Sequence, residues 1–394
     1  MKAPERIRIE FLDGLRGLAA LYVMLGHTYV SIRDYVDPYV GGLELKLLKL
    51  IDAGHFAVAI FIVLSGYVLM MPIAQTAGLK MRGGWQDYIR RRARRIMPPY
   101  YAAIVLSVGL LLIFPALAKP GDLSWQVLGS HLLLVHNFHP QTMLALNGPM
   151  WSVALEWQIY FILPFLLLPV LHRFGPAAML AAGVAAGLAP FFLLPAPYNF
   201  SWTYPWYIGL FAMGGLGALI NFSPIPHLMA LRGRRIWGPL SLGLLAITGA
   251  MLLLRLSWAW QHLWFADLLI GLTTVVGIIT LTNALIAQKA AGDSAHVTLP
   301  LLIVRGLEMR WMAVLGAFSY SLYLTHEPIL AVLAQFSLML PLKGLPLLAV
   351  QFTVVGPIVV GLCYLFYLLC ERPFVTKRQP GPKSTAQEGT VAAD

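Results

Sequence analysis

Ten runs of about twenty mostly apolar residues, at roughly 11–30, 54–73, 99–117, 150–171, 176–195, 203–221, 236–256, 263–287, 312–335 and 345–370, leave this chain few ways to fold. A bilayer core takes about 20 apolar residues of helix to cross. None of the runs shows the in–out alternation of a membrane barrel strand. With 59% of residues apolar and 11% charged, no soluble fold could bury the one set beneath the other. The reading is an all-α integral membrane protein, a bundle of ten transmembrane helices. Disordered chains and nucleic-acid-binding modules are excluded. Asp13 and Arg16 interrupt the first run, which therefore reads as a span and not as a cleavable signal peptide. Residues 124–138 are too short to cross and are expected to lie along the interface or re-enter.

The net charge of +11 follows mainly from topology. With the N-terminus in the cytoplasm, the inner segments hold 21 Lys and Arg and the outer loops 6, with Arg16 inside the first span. That asymmetry predicts cytoplasmic termini at both ends of a multi-pass protein of the cytoplasmic (inner) membrane. Residues 1–373 form the membrane domain, and 374–394 read as a short, disordered polar tail. Cys363 and Cys370 are seven residues apart, about 10 Å on a helix, too far for a disulfide. No CxxC or Cys/His ligand spacing occurs, so no metal site is expected.

Ionisable groups at membrane depth are costly and mark function by default. Eleven residues, about three turns and roughly 16 Å of rise, separate Arg16 from His27, so the two share a helix face. Asp13 is close enough to pair with Arg16. The same stripe also suits an arginine snorkelling to headgroups and a histidine bonded to a neighbouring helix. In the fourth span Ser152, Glu156 and Tyr160 follow i, i+4 spacing and make one polar face, either a site or an inter-helix hydrogen bond. In the ninth, Ser319, Tyr323 and His326 fall near one face and Pro328 is expected to break or kink the helix there. A broken helix with polar side chains lines a cavity; the alternative is an aromatic packing seam ended by proline. Ser65-Gly66, near the middle of the second span, reads as a packing pair. Arg90–Arg92 with Arg94 and Arg95 can anchor to anionic lipid or grip a phosphorylated cytosolic ligand. No Walker A or GxGxxG pattern is present to hold a nucleotide by its backbone. His131, His136 and His139 match no metal spacing and read as interfacial, and His55 carries little weight.

Several of these pieces together resemble the acyltransferase-three family of integral membrane O-acyltransferases. The residues that carry the likeness are Leu12-Asp13-Gly14-Leu15-Arg16-Gly17 with His27, Phe61 to Tyr67, the RxxR cluster ending in Pro98, Trp151-Ser152 with Glu156-Trp157, Leu315 to His326, and Glu371-Arg372-Pro373. Six motifs in order over residues 11–373 make the resemblance specific. It implies transfer of an acetyl or other short acyl group from acyl-CoA, a co-substrate and not a resident cofactor, to a hydroxyl of a carbohydrate or glycolipid acceptor. By motif, His27 is the catalytic histidine and Arg16 its essential partner, with Asp13 beside it. Arg91, Arg92, Arg94 and Arg95 meet the CoA phosphates in one of two registers, Arg91/Arg94 or Arg92/Arg95. Glu156 joins His27, Arg16 and Asp13 as catalytic and lies on the acceptor side, and Ser65, Trp151, Ser152, Tyr160, Ser319, Tyr320, Tyr323 and His326 are acceptor or cavity residues. Depth agrees: the arginines lie on the cytoplasmic side, and His27, Glu156 and His326 in the outer half, where an envelope polysaccharide would be. A rival reading, a ten-helix transporter or flippase for a glycan or lipid-linked intermediate, accounts for polar residues in spans but not for an arginine cluster beside a stripe ending in histidine. Transfer to an acceptor on the cytoplasmic face is a further alternative.

Overall fold

A computed structural model describes residues 9–76, 78–291 and 296–374. Ten long helices carry most of these residues. They are α1 (Phe11–Val30), α2 (His55–Ala74), α3 (Gly84–Ile113), α4 (Met150–Phe174), α5 (Pro176–Leu193), α6 (Tyr207–Phe222), α7 (Trp237–Leu254), α8 (Leu263–Ala291), α9 (Arg310–Leu338) and α10 (Gly344–Phe374). No strand occurs among the described residues. By length and composition eight stretches, those containing α2 to α8 and α10, are able to cross a membrane. The two that fall short, α1 and α9, hold Asp13, Arg16 and His27, and His326 with Glu327. These polar groups lower the mean hydropathy of the helices that carry them. The residues of the expected tail from 375 onward, and the N-terminal Lys2, Arg6 and Arg8, lie outside the described residues.

Lipid tails are as apolar as leucine, so helices in a bilayer associate through close backbone approach and polar contacts. Glycines set that approach at the two largest helix pairings, α1 on α9 and α2 on α6. A Cβ on Gly17 would lie 2.7 Å from the Gly316 nitrogen, and one on Gly66 would run into the backbone carbonyl of Phe211. The Ser65-Gly66 pair therefore divides its roles: the glycine packs, and the serine faces a cavity. At the periphery, α7 leaves Leu242, Leu245, Leu253 and Leu254 exposed, an apolar surface suited to lipid.

Two elements depart from expectation. The third apolar run begins far upstream, because α3 starts at Gly84 and carries the arginine cluster in its own first turns, through Pro98 and Pro99. Pro328 does not break α9, which runs unbroken from Arg310 to Leu338. Proline at 328 removes the N–H that would bond the Leu324 carbonyl. That carbonyl instead accepts the side-chain Nδ2–H of Asn147 at 2.9 Å, so a neighbouring loop supplies the missing donor. The short helix Trp125–Leu132 is capped by Ser124, whose Oγ accepts from the Val127 N–H at 3.3 Å. His131 and His136, from the same region, are fully buried and stack with ring centroids 3.8 Å apart, while His139 is exposed. Burial and the neighbouring His131 push His136 down to about 3, so the pair packs as neutral rings.

Candidate active site

One cavity opens among α1, α2, α3, α4 and α9, with room of about 90 Å³, enough for several waters. Ser152, Glu156 and Tyr160 reach it from one face of α4, as their spacing requires, and Ser65 comes from α2. Glu156 Oε1 accepts hydrogen bonds from Ser65 Oγ and from Tyr160 Oη, the latter at 2.6 Å. Arg16, Arg92 and Arg95 stand at the same cavity. Asp13 sits 3.6 Å from Arg16. Three guanidiniums against one lining carboxylate leave the wall cationic, and the buried Nε of Arg92 has no protein partner. An anion entering here meets at least that one donor, which no described residue uses.

Of the two possible arginine registers, Arg92 and Arg95 face the cavity. Arg91 is turned to Asp87 and to the Arg82 carbonyl, and Arg94 is exposed away from the lining. From α9, Ser319, Tyr320 and Tyr323 complete the wall. Tyr320 Oη donates to the Ile96 carbonyl at 3.2 Å and so ties α9 to the arginine-bearing helix. Ser152 Oγ and Tyr323 Oη are 2.6 Å apart, and Ser152 spends its own hydrogen on the Pro149 carbonyl, which leaves Tyr323 as the donor.

His27 does not line this cavity; it lies past Tyr323, whose ring centroid is 6.0 Å from that of His326. His326 Nε2 is 3.2 Å from His27 Nδ1. The proton positions on the two rings follow from the partners. His326 Nδ1 lies 2.8 Å from the Leu322 carbonyl, which only accepts, so Nδ1 carries the hydrogen. Its Nε2 is then an acceptor and takes the Nδ1–H of His27. That leaves a lone pair on His27 Nε2, since the hydrogen bond of the ring to a described side chain is made through Nδ1. The arrangement holds His27 in the tautomer a general base needs. The helix pairing of α1 with α9 brings together side chains 299 residues apart.

Two groups, Asp267 and Asn147, escaped the sequence reading, and Glu371 entered it only as part of a motif. Asp267, in α8, is fully buried; its Oδ2 accepts from Trp206 Nε1 at 2.9 Å and lies 3.3 Å from His55 Nε2. A carboxylate at membrane depth was the signal that could have found it, the same one that singled out Glu156. Trp151 belongs to this cluster and not to the cavity, with its ring stacked at 6.1 Å on His55. Glu371 is buried in α10 and accepts from both the N–H and the Oγ of Ser321, at 3.1 and 2.5 Å. Asn147 gives no signal of its own, since its function depends on a proline far along the chain.

A sequence profile of an acyltransferase domain, Acyl_transf_3, matches residues 9–368. The chain belongs to the acyltransferase-three family. Among curated relatives, this family member is 29% identical over 188 residues to the acyltransferase MdmB of Streptomyces mycarofaciens, covering 46% of each chain. It is 22% identical over 352 residues to the O-acetyltransferase OatA of Staphylococcus aureus, covering 81% of this chain and 50% of that one. To the putative peptidoglycan O-acetyltransferase YrhL of Bacillus subtilis it is 27% identical over 187 residues, 44% of this chain and 26% of the relative. The match spans half or less of the length of each of these relatives. No solved structure matches the chain.

Proposed function

We propose that this protein is an O-acyltransferase with ten membrane spans and both termini in the cytoplasm, resident in the cytoplasmic membrane. It moves an acetyl or other short acyl group from acyl-CoA to a hydroxyl of a carbohydrate or glycolipid acceptor, most readily an envelope polysaccharide. The observation that carries this reading is the free lone pair of His27 Nε2, set by the bond to His326, beyond a cavity walled by Arg16, Arg92 and Arg95. Names among the relatives, an O-acetyltransferase and a putative peptidoglycan O-acetyltransferase, support the reaction class.

In this reading the CoA phosphates meet Arg92 and Arg95 at the cytoplasmic end, and the pantetheine arm extends through the cavity toward His27. His27 Nε2 takes the proton of the acceptor hydroxyl as its oxygen attacks the thioester carbonyl. The tetrahedral centre collapses by breaking the C–S bond, the oxygen keeps the acyl group as an ester, and His27 returns the proton to the CoA sulfur. A positioned base is worth about 10²- to 10⁴-fold. Tyr323 and Ser152, joined by their own hydrogen bond, stand at the cavity end nearest the histidines. Glu156, held by Ser65 and Tyr160, offsets part of the guanidinium charge along the arm.

Binding and slow hydrolysis of acetyl-CoA by purified protein in detergent test this reading. Wild type is expected to bind and hydrolyse, and His27→Ala to bind with turnover reduced at least about 100-fold. Wild-type turnover by His27→Ala overturns the role of His27. Absence of both binding and turnover across short acyl-CoAs in the wild type would put the transporter reading ahead.

A further inference from the structure

The His55 cluster is the densest set of polar and aromatic groups that the acyl-transfer chemistry leaves unused. Four rings besides Trp151 surround His55: Phe56 at 5.5 Å between centroids, Tyr204 at 4.9, Tyr207 at 6.4 and Trp260 at 5.6. Beneath it Asp267 uses Oδ2 for Trp206 and His55, Tyr207 Oη lies 3.4 Å from the same His55 Nε2, and the fully buried Oδ1 has no geometric hydrogen-bond partner among the described residues. A belt of interfacial aromatics would account for the rings but not for a buried carboxylate aimed among them. Because the carboxylate only accepts, His55 Nε2 carries the hydrogen and Nδ1 is left with a lone pair. No described residue bonds that Nδ1. Trp260 is 38% exposed and the face of Tyr204 is partly open, whereas Tyr207 and Asp267 are sealed.

The cluster adjoins the candidate active site. Gly26, beside His27, faces the turn before His55: a Cβ on Gly26 would lie 2.8 Å from the Ile51 carbonyl oxygen and in ordinary contact, 3.7 Å, with the Gly54 Cα. One turn along from His55 and one residue along from Trp151, Val58 and Ser152 line the cavity, with Tyr323 across from them. A ligand placed over His55 therefore lies beside the α1–α2 contact next to His27 and near the cavity wall at Val58 and Ser152.

We propose that Trp260, Tyr204 and His55, with Asp267 orienting the imidazole, form a carbohydrate subsite that holds one sugar ring of the acceptor beside the reacting hydroxyl. Sugars present C–H faces that stack on aromatic rings and hydroxyls that need acceptors. Here the ring face rests on Trp260 and Tyr204, and one hydroxyl donates to His55 Nδ1. This inference rests on the acceptor being a carbohydrate, and a test that omits acyl-CoA keeps its failure distinct from failure of the donor assignment.

The experiment is saturation-transfer NMR of purified protein in detergent with the methyl glycosides of glucose, galactose, mannose, rhamnose and N-acetylglucosamine. Wild type is expected to saturate at least one of them. Trp260→Leu, His55→Gln and Asp267→Asn are expected to weaken that binding at least fivefold, and Trp260→Phe, which keeps a ring face, to recover most of it. Melting temperatures within about 3 °C of wild type separate loss of the subsite from loss of the fold. No binding of any glycoside by wild type, or unaltered binding by folded Trp260→Leu and Asp267→Asn, overturns the proposal. Glycoside binding together with absent acetyl-CoA turnover would leave the subsite standing and refute the donor assignment instead.

Discussion

Replacing His326 probes the tautomer argument directly. In the wild type its Nε2 takes the His27 Nδ1–H at 3.2 Å in a fully buried setting. His326→Ala deletes that acceptor, so His27 loses both its fixed tautomer and the partner that would stabilise it once protonated. A hydrogen bond to a charged group contributes about 1.5–3 kcal/mol, which corresponds to a rate loss of roughly 10- to 150-fold. The loss is expected in the transfer or hydrolysis rate at saturating acetyl-CoA. The dissociation constant for acetyl-CoA should change by less than about threefold, because His326 lies outside the arginine-walled cavity. His326→Gln, whose amide oxygen can sit near the place of Nε2, is expected to recover part of the rate. A stopped assay of CoA release with a thiol reagent reads the rate, and equilibrium binding reads the affinity. A folded His326→Ala protein that turns over at the wild-type rate, or one that loses affinity as steeply as rate, refutes the reasoning.

Two further perturbations follow from the same contacts. Arg92→Ala and Arg95→Ala should each weaken acetyl-CoA binding at least about tenfold by removing charge-assisted contacts, while Arg94→Ala, turned away from the cavity, stays within about twofold; equilibrium binding decides between the two registers. Asn147→Ala should cost about 1–3 kcal/mol in a detergent denaturation assay by stranding the Leu324 carbonyl. The cost should shrink in a Pro328→Ala background, where the restored backbone N–H serves that carbonyl, and a double-mutant cycle without coupling would show the two are independent.

The helical class, the long apolar stretches and the polar faces were legible in the order of residues. Hydrophobic run length and 3.6-residue periodicity are local properties, as is the i, i+4 spacing that puts Ser152, Glu156 and Tyr160 on one face. The motifs that identify the family could be read in the same way, since each is contiguous or nearly so. What a helix face meets is not local. Arg92 and Arg95 could not be told from Arg91 and Arg94 by spacing, because the packing of α3 against its neighbours decides which of them meet the cavity. Pro328 read as a break or kink because proline removes an N–H; in the tertiary structure the carbonyl left without that donor is served by Asn147, 177 residues away. His27 and His326 were each visible as polar residues in a span, but their shared proton depends on the crossing of α1 and α9 that Gly17 and Gly316 permit. His55 and Asp267 were discounted or passed over for the same reason: on its own helix each is a single polar residue, and only packing of α2 against α8 makes them a pair. Sequence by itself determined which groups must leave water and the helices that carry them. Tertiary structure decided which of those groups satisfy one another, because that depends on helix crossings set by close approach of residues far apart in the chain.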